Sequence, residues 1–306
     1  GCTAGKQAGL WTFMKKDDTV KKDSAEKGFC AVLIFRRNWS VYMERSVLFF
    51  DIDGTVLSEI TRQVPESAVR AFKAAQEEGH LLFINTGRTA CCVPPTIRKY
   101  RFDGYLCGCG TNISYKEEEL FYSSIDRKRG KAIIDKLLEC GMTGIAEARD
   151  DVYFPERVTQ YDGLEGFRRS LRERGIGVEQ PLERGNFTYD KMFIYENEKS
   201  DLKSFLAFIE EDMNAIDRGD GAYEVIQKRY SKGTACEQVL KLLGIPKERA
   251  YVFGDSSNDL DMFRFADHAV AMGKHADVLE PYTEFVTKTV EEDGLAYAMK
   301  HYGLIH

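Results

Sequence analysis

Apolar residues in this chain follow two rhythms, short unbroken runs and longer stretches at helical spacing, and the two take turns. Val47-Leu48-Phe49-Phe50 is an unbroken apolar run leading into Asp51-Ile52-Asp53, which predicts a buried parallel strand over 47–53. Pro65-Glu66 opens a helix whose face carries Val69, Phe72 and Ala75 and which Gly79 ends. Strands are predicted over 81–86 and 105–109. The rhythm returns near the C-terminus. A helix over 234–243 presents Ala235, Val239, Leu242 and Leu243, and Gly244 and Pro246 stop it. A strand over 250–254, a helix over 260–265, strands over 268–272 and 283–287 and a last helix over 295–302 follow. Alternating strands and helices predict an α/β fold, a Rossmann-like doubly wound parallel sheet with right-handed crossovers.

The stretch 123–226 breaks this alternation. It offers an amphipathic helix with Ile133, Ile134, Leu137 and Leu138, a Gly-rich region, a strand over 192–195, and a helix over 201–212 with Leu202, Phe205, Leu206 and Ile209 on its face. Two helices with short strands predict an α+β domain inserted into a core of 43–122 and 227–306. Residues 1–42 show no sustained period, and Met43 reads as a natural start. That stretch is expected to be a disordered or vector-derived extension, with a basic targeting arm as the alternative.

At 43% apolar and 30% charged, the 306 residues have an ordinary soluble composition. No apolar run approaches the ~20 residues that span a bilayer. Phe29–Phe35 is too short and too far in for a signal peptide. Residues 1–42 hold eight Lys/Arg and four Asp/Glu, so the overall −6 leaves −10 for the remainder. An acidic body argues against nucleic acid as a partner. The eight cysteines lack metal-ligand spacing, since Cys91-Cys92 are adjacent and Cys107-Gly108-Cys109 is C-x-C. They read as free thiols of a reducing cytosol, hence a cytoplasmic protein. No feature speaks to oligomeric state.

The chemistry concentrates at predicted strand ends. Asp51 and Asp53 stand two apart before Gly54-Thr55, so on a strand both would share a face. Two like charges that close call for a compensating cation. Ala250-Tyr251-Val252-Phe253-Gly254-Asp255-Ser256-Ser257-Asn258-Asp259 repeats the design, and Thr86-Gly87-Arg88 ends another strand. Ser231-Lys232-Gly233 opens a helix. Each has an unremarkable alternative: Asp255 as a helix N-cap, Thr86 as a cap, Lys232 as a surface lysine. His80, His268 and His275 carry no zinc spacing. The Gly108-Cys109-Gly110 turn lacks the Gly-Lys-Ser/Thr of a P-loop.

Taken in order, Asp-x-Asp-Gly-Thr, Thr-Gly-Arg, Ser-Lys-Gly and Gly-Asp-x-x-Asn-Asp resemble the motifs of the haloacid dehalogenase (HAD) superfamily, and within it the Cof-type phosphatases with a large (type IIB) cap. The resemblance runs from about Val47 to the C-terminus and weakens in the middle. It implies a phosphatase acting on a small phosphorylated metabolite, sugar phosphate-like, with Asp51 as nucleophile and Asp53 as general acid and base, assignments the carboxyl chemistry also supports. Mg²⁺ is expected on Asp51, Asp255 and the backbone carbonyl of Asp53, with Asp259 orienting metal-bound water. Thr86 and Gly87 are expected to bind a phosphoryl oxygen at a following helix N-terminus, Asn258 to contact phosphate, Lys232 to supply fixed positive charge, and Arg88 to touch substrate.

Cys109-Gly110-Thr111 departs from the Asn-Gly-Ala usual in the subfamily, which bears on hinge and substrate approach. Arg168, Arg169, Arg172 and Arg174 read as a solvated helix face, with an anionic-substrate contact as the alternative. A hexose-phosphate mutase using the same phosphoenzyme and an inactive metal-binding regulatory module are the competing functions. A dehalogenase has no need of Asp53, and a pump-type ATPase would need membrane segments.

Overall fold

The computed structural model describes residues 45–306, so the extension expected over 1–42 lies outside the described residues. The main sheet has eight strands: β1 (Val47–Phe50), β2 (Leu81–Asn85), β3 (Gly104–Cys107), β4 (Asn112–Tyr115), β5 (Glu118–Tyr122), β11 (Ala250–Gly254), β12 (His268–Ala271) and β13 (Phe285–Val286). Their spatial order is β13-β12-β11-β1-β2-β3-β4-β5. Neighbours from β13 to β3 are parallel, and β4 and β5 extend the sheet as antiparallel strands.

Both faces of β1 are buried, which is why its sequence is apolar without alternation. Leu48 and Phe50 pack with Ala68, Phe72 and Ala75 of α1 (Glu66–Glu77) and with Leu295, Ala298 and Met299 of a late helix, Gly294–His301. Val47 and Phe49 face the other way, onto Val239 and Leu240 of the helix Lys232–Leu243 and Phe263 of the helix Leu260–Phe265. Phe50 stacks on Phe253 of β11 at 4.7 Å between ring centroids. Burying each such ring contributes about 1.5–3 kcal/mol.

Strand β1 ends three residues earlier than its composition suggests. After Phe50 the chain turns, with the amides of Thr55, Val56 and Leu57 all donating to the Ile52 carbonyl and Gly54 at φ +81°. The two acidic side chains are therefore set by a turn rather than by strand alternation. Nor does an α-helix start at Gly87. A single 3₁₀ turn, Ala90–Cys92, comes first, and α2 (Pro95–Arg98) is one turn long, because Pro94 and Pro95 lack amide donors and disfavour helix in the residues before them.

Between β5 and the helix Lys232–Leu243 lies a second, five-stranded antiparallel sheet of order β7-β6-β8-β10-β9. Its strands are β6 (Thr143–Glu147), β7 (Val152–Tyr153), β8 (Lys191–Tyr195), β9 (Met213–Asp217) and β10 (Ala222–Gln227). Three helices accompany it: α3 (Arg127–Glu139), α4 (Asp162–Arg172) and α5 (Leu202–Ile209). Asp126 caps α3 by accepting from the amides of Lys128 and Arg129. Strand β8 alternates cleanly: Met192 and Ile194 join Ile133, Leu137, Phe205 and Ile209 in the insert's own core, while on the other face Phe193 and Tyr195 pack with Leu164 and Phe167 of α4 and Lys191 reaches the main layer.

The chain completes the main layer with α6 (Lys232–Leu243), α7 (Leu260–Phe265) and α8 (Gly294–His301). Helix α6 begins two residues before the expected start, because Ser231 and Thr234 form a reciprocal capping box. Where the insert joins, Ser123 Oγ donates to Gln227 Oε1 (3.1 Å), and Gln227 Nε2 donates back to the carbonyls of Ser123 (3.2 Å) and Asp190 (3.1 Å).

Candidate active site

The carboxyl ends of β1, β2 and β11 meet at one rim, where open α/β sheets take their ligands. Lys232, 1% exposed, enters this rim from the first turn of α6. Its ammonium donates to Asp51 Oδ1 at 2.5 Å, Asp259 Oδ1 at 2.6 Å and Asn258 Oδ1 at 3.1 Å. An ammonium has three protons, so its capacity is filled. Burial would suppress its charge, yet Asp259 and Asp51 outweigh that and raise its pKa above the usual lysine range.

Carboxylate oxygens of Asp51, Asp255 and Asp259 lie within 4.8 Å of one another. Three carboxylates against one ammonium leave an excess of negative charge. Burial is the largest influence on Asp51 and lifts its pKa well above the ordinary value, against the pull of Lys232 and with Asp259, Asp255 and Asp53 adding to the rise. Asp255 is pushed up to about 7, by burial first and then by Asp259. Thr55 Oγ1 holds Asp255 by donating to its Oδ1 at 2.9 Å. Gly54 must lack a side chain here, since a Cβ would sit 2.4 Å from Asp255 Oδ2. Asp259 Oδ2 accepts the amides of Asp255 (3.0 Å) and Ser256 (2.9 Å), fixing the turn after β11.

Asp53 stands apart from this cluster. Arg88 grips it with a fork, Nε to Oδ2 at 2.7 Å and Nη2 to Oδ1 at 2.9 Å. The Thr86 hydroxyl accepts the Arg88 amide at 3.2 Å, and Thr86, Gly87 and Arg88 all border the same cavity. That cavity, about 350 Å³, has Asp51, Asp53, Asp255 and Asn258 among its walls on the main-sheet side. Opposite them the insert supplies Ile145, Glu147, Phe167, Lys191, Phe193, Tyr195, Arg218 and Glu224. The nine residues singled out in the sequence thus gather at one rim, while Thr55 and the insert's residues went unread. Period-two alternation in Lys191–Tyr195 was the available signal for three of them.

Of the arginine cluster, Arg169, Arg172 and Arg174 are exposed, as a solvated face would have them, Arg168 is the exception, and none of the four lines the cavity. Arg168 is 3% exposed, ion-paired with Glu165 at 3.2 Å and stacked over Phe154. Arg174 donates to the Cys91 carbonyl at 2.6 Å, joining insert to main layer. A partner one helical turn away and an aromatic surface make burial of the Arg168 charge tolerable.

These features define a class. The family profile described as haloacid dehalogenase-like hydrolase matches residues 48–299, and the chain belongs to that family. It is an enzyme of the phosphoric monoester hydrolase kind, with the α/β HAD fold. Among similar proteins, Bacillus subtilis YkrA is 26% identical over 263 residues, covering 86% of this chain and all of that protein. The B. subtilis 5-amino-6-(5-phospho-D-ribitylamino)uracil phosphatase YitU is 23% identical over 264 residues, covering 84% of this chain and 97% of its own. The solved structure of the HAD subclass IIB sugar phosphatase BT4131 aligns over 85% of this chain and 100% of that one, with a TM-score of 0.73 at 26% identity. Among the described residues no helix is long and apolar enough to cross a membrane.

Proposed function

We propose that this protein hydrolyses a small phosphorylated metabolite through an aspartyl-phosphate on Asp51, beneath the insert acting as a cap. The observation that carries the reading is the convergence of Lys232 on Asp51 and Asp259, beside Asp255, at the floor of the cavity. In the first step an Asp51 oxygen bonds to phosphorus as the bond to the leaving oxygen breaks, and Asp53 gives that oxygen a proton. In the second, Asp53 takes a proton from water, whose oxygen attacks phosphorus and frees Asp51. Arg88 sets the direction of the Asp53 carboxyl in both. Thr86 and Gly87 receive the phosphoryl oxygens, and Lys232 balances the charge that develops there.

The donor set fits a hard divalent cation. Asp51 and Asp255 would hold it, with the Asp53 backbone carbonyl, and all-oxygen ligation favours Mg²⁺. Asp259 has both oxygens engaged by nitrogen donors, so it shapes the site instead of ligating. When bound, the cation neutralises phosphoryl charge.

A cavity of about 350 Å³ admits a small leaving group only. Its aromatic and charged lining suits a polyol or sugar chain, in keeping with the names of YitU and BT4131. The test is a panel of sugar, polyol and nucleoside phosphates assayed for released phosphate with Mg²⁺ and with chelator, beside Asp51→Asn. Release should need the metal and vanish in the variant. Undiminished release by Asp51→Asn, or by the chelated enzyme, would overturn the reading.

A further inference from the structure

Lys191 has no part in the reaction as set out above, yet it is a lysine 4% exposed at the seam between cap and main layer. A buried ammonium is tolerated only when its donors are satisfied. Its surroundings meet that need. Lys191 pairs with Glu224 of β10, lies 3.6 Å from Glu147 of β6, and donates at 3.0 Å to the Gly87 carbonyl. The first two partners come from strands flanking β8, with Glu147 directly across from Lys191 in the ladder. Gly87 belongs to the other layer, so this hydrogen bond crosses the seam.

The peptide it grips is not arbitrary. The Gly87 carbonyl is the acceptor half of the Gly87–Arg88 peptide, whose amide donates to Thr86 Oγ1 at 3.2 Å. Arg88 in turn forks Asp53. Gly87 is also enclosed from behind, since a Cβ there would meet Glu224 Oε1 at 3.0 Å and Cys109 Sγ at 3.4 Å. Cys109 stands at φ +56°, donates its amide to the Thr86 carbonyl at 3.2 Å and points its thiol at Glu224. The residue that departs from the subfamily pattern therefore lies against the same cap carboxylate. A hydrophobic seam would hold the layers together as well, so stability does not call for a buried ion cluster here. Directional contacts onto one peptide do call for it.

We propose that Lys191, backed by Glu224, is a positioning residue that couples seating of the cap to the aim of Asp53. With the ammonium on the Gly87 carbonyl, the Arg88 fork is held and Asp53 faces the leaving oxygen. With the cap lifted, the Gly87–Arg88 peptide keeps only its amide's bond to Thr86 Oγ1, and the carboxyl loses its direction. Protonation of the leaving group is thereby tied to enclosure of the substrate. The inference rests on the reading of Asp53 as the acid.

The test compares kcat/KM, which reports the leaving-group-expelling step, for an alkyl phosphate and for 2,4-dinitrophenyl phosphate, whose departing phenolate needs no proton. Lys191→Met should lose about 10²-fold on the alkyl ester and roughly a tenth of that factor or less on the aryl ester. Lys191→Arg should recover part of the difference. Adding Lys191→Met to Arg88→Met should cost little more than Arg88→Met alone, because both break one chain of contacts. Circular dichroism and melting of each variant identify misfolding, and if Lys191→Met does not fold, Glu224→Gln, which weakens the same anchor, carries the comparison. Equal losses on both esters, a change confined to KM, or additive losses with Arg88→Met would overturn the inference. A wild-type enzyme inactive on every phosphate ester would instead sink the phosphatase reading itself.

Discussion

Replacing Asp190 by Asn should make the protein more stable in alkali and leave it nearly unchanged in acid. Asp190 is wholly buried where the cap joins the main layer. Its Oδ1 accepts the Tyr122 hydroxyl at 2.7 Å, and its Oδ2 has no partner among the described residues. Burial pushes the carboxyl from 3.8 up to about 7; the Tyr122 hydrogen bond opposes the rise, and the Glu147 charge adds to it. Between those two values the native state binds the proton more tightly than the unfolded chain, so stability falls as pH rises through the window. Above about pH 7 the full cost is present, and a displacement of that size corresponds to about 4 kcal/mol as an upper bound. At pH 4.5 the same linkage leaves about 1 kcal/mol. Asn keeps the shape and the acceptor for Tyr122 but carries no charge to desolvate. Thermal melts should show Asp190→Asn gaining up to about 10 °C at pH 8 and only a degree or two at pH 4.5. An equal gain at both, or a loss at pH 8, would refute the argument.

Three further outcomes follow from the geometry. Gly54→Ala places a methyl 2.4 Å from Asp255 Oδ2 at a backbone φ of +81°, so phosphate release should fall by about 10²-fold or more as Asp255 is displaced. Lys232→Met removes the ammonium shared by Asp51 and Asp259; kcat should drop at least ~10²–10³-fold, and metal-free stability by about 3–5 kcal/mol in denaturant titration. Arg168→Met, which is not among the residues of the cavity wall, should cost about 2–4 kcal/mol of stability by leaving the Glu165 charge without its cation, while kcat and KM at 25 °C stay as in the parent.

How much of this was legible depended on whether the signal was local. Val47–Phe50, Ala250–Gly254 and Leu260–Phe265 appear in the composition of a few neighbouring residues, and so do the motif residues at their ends. The hairpin β4–β5 was not visible, because its edge carries Glu118 and Glu119 and presents no apolar rhythm. Helix α4 shows in the sequence only as the arginine face near its C-terminal end, because Gly163 and Gly166 dilute the helical spacing of its first turns. The cap's charged seam was beyond reach for another reason. Glu147, Lys191 and Glu224 become neighbours only through strand register, which no single segment specifies. Arg168 reads as solvated until Glu165 and Phe154 are seen to enclose it.

The clasp of Ser123 and Gln227 has a consequence for ancestry and engineering. It holds the outgoing and returning strands of the chain side by side, so roughly a hundred residues leave and re-enter through what amounts to a single doorway. Excising everything past that doorway and closing it with a short turn would leave the parallel layer's own ladder untouched. A scaffold built this way can exchange one roof for another of different shape, provided the newcomer brings its own donor to the Gly87 carbonyl in place of Lys191.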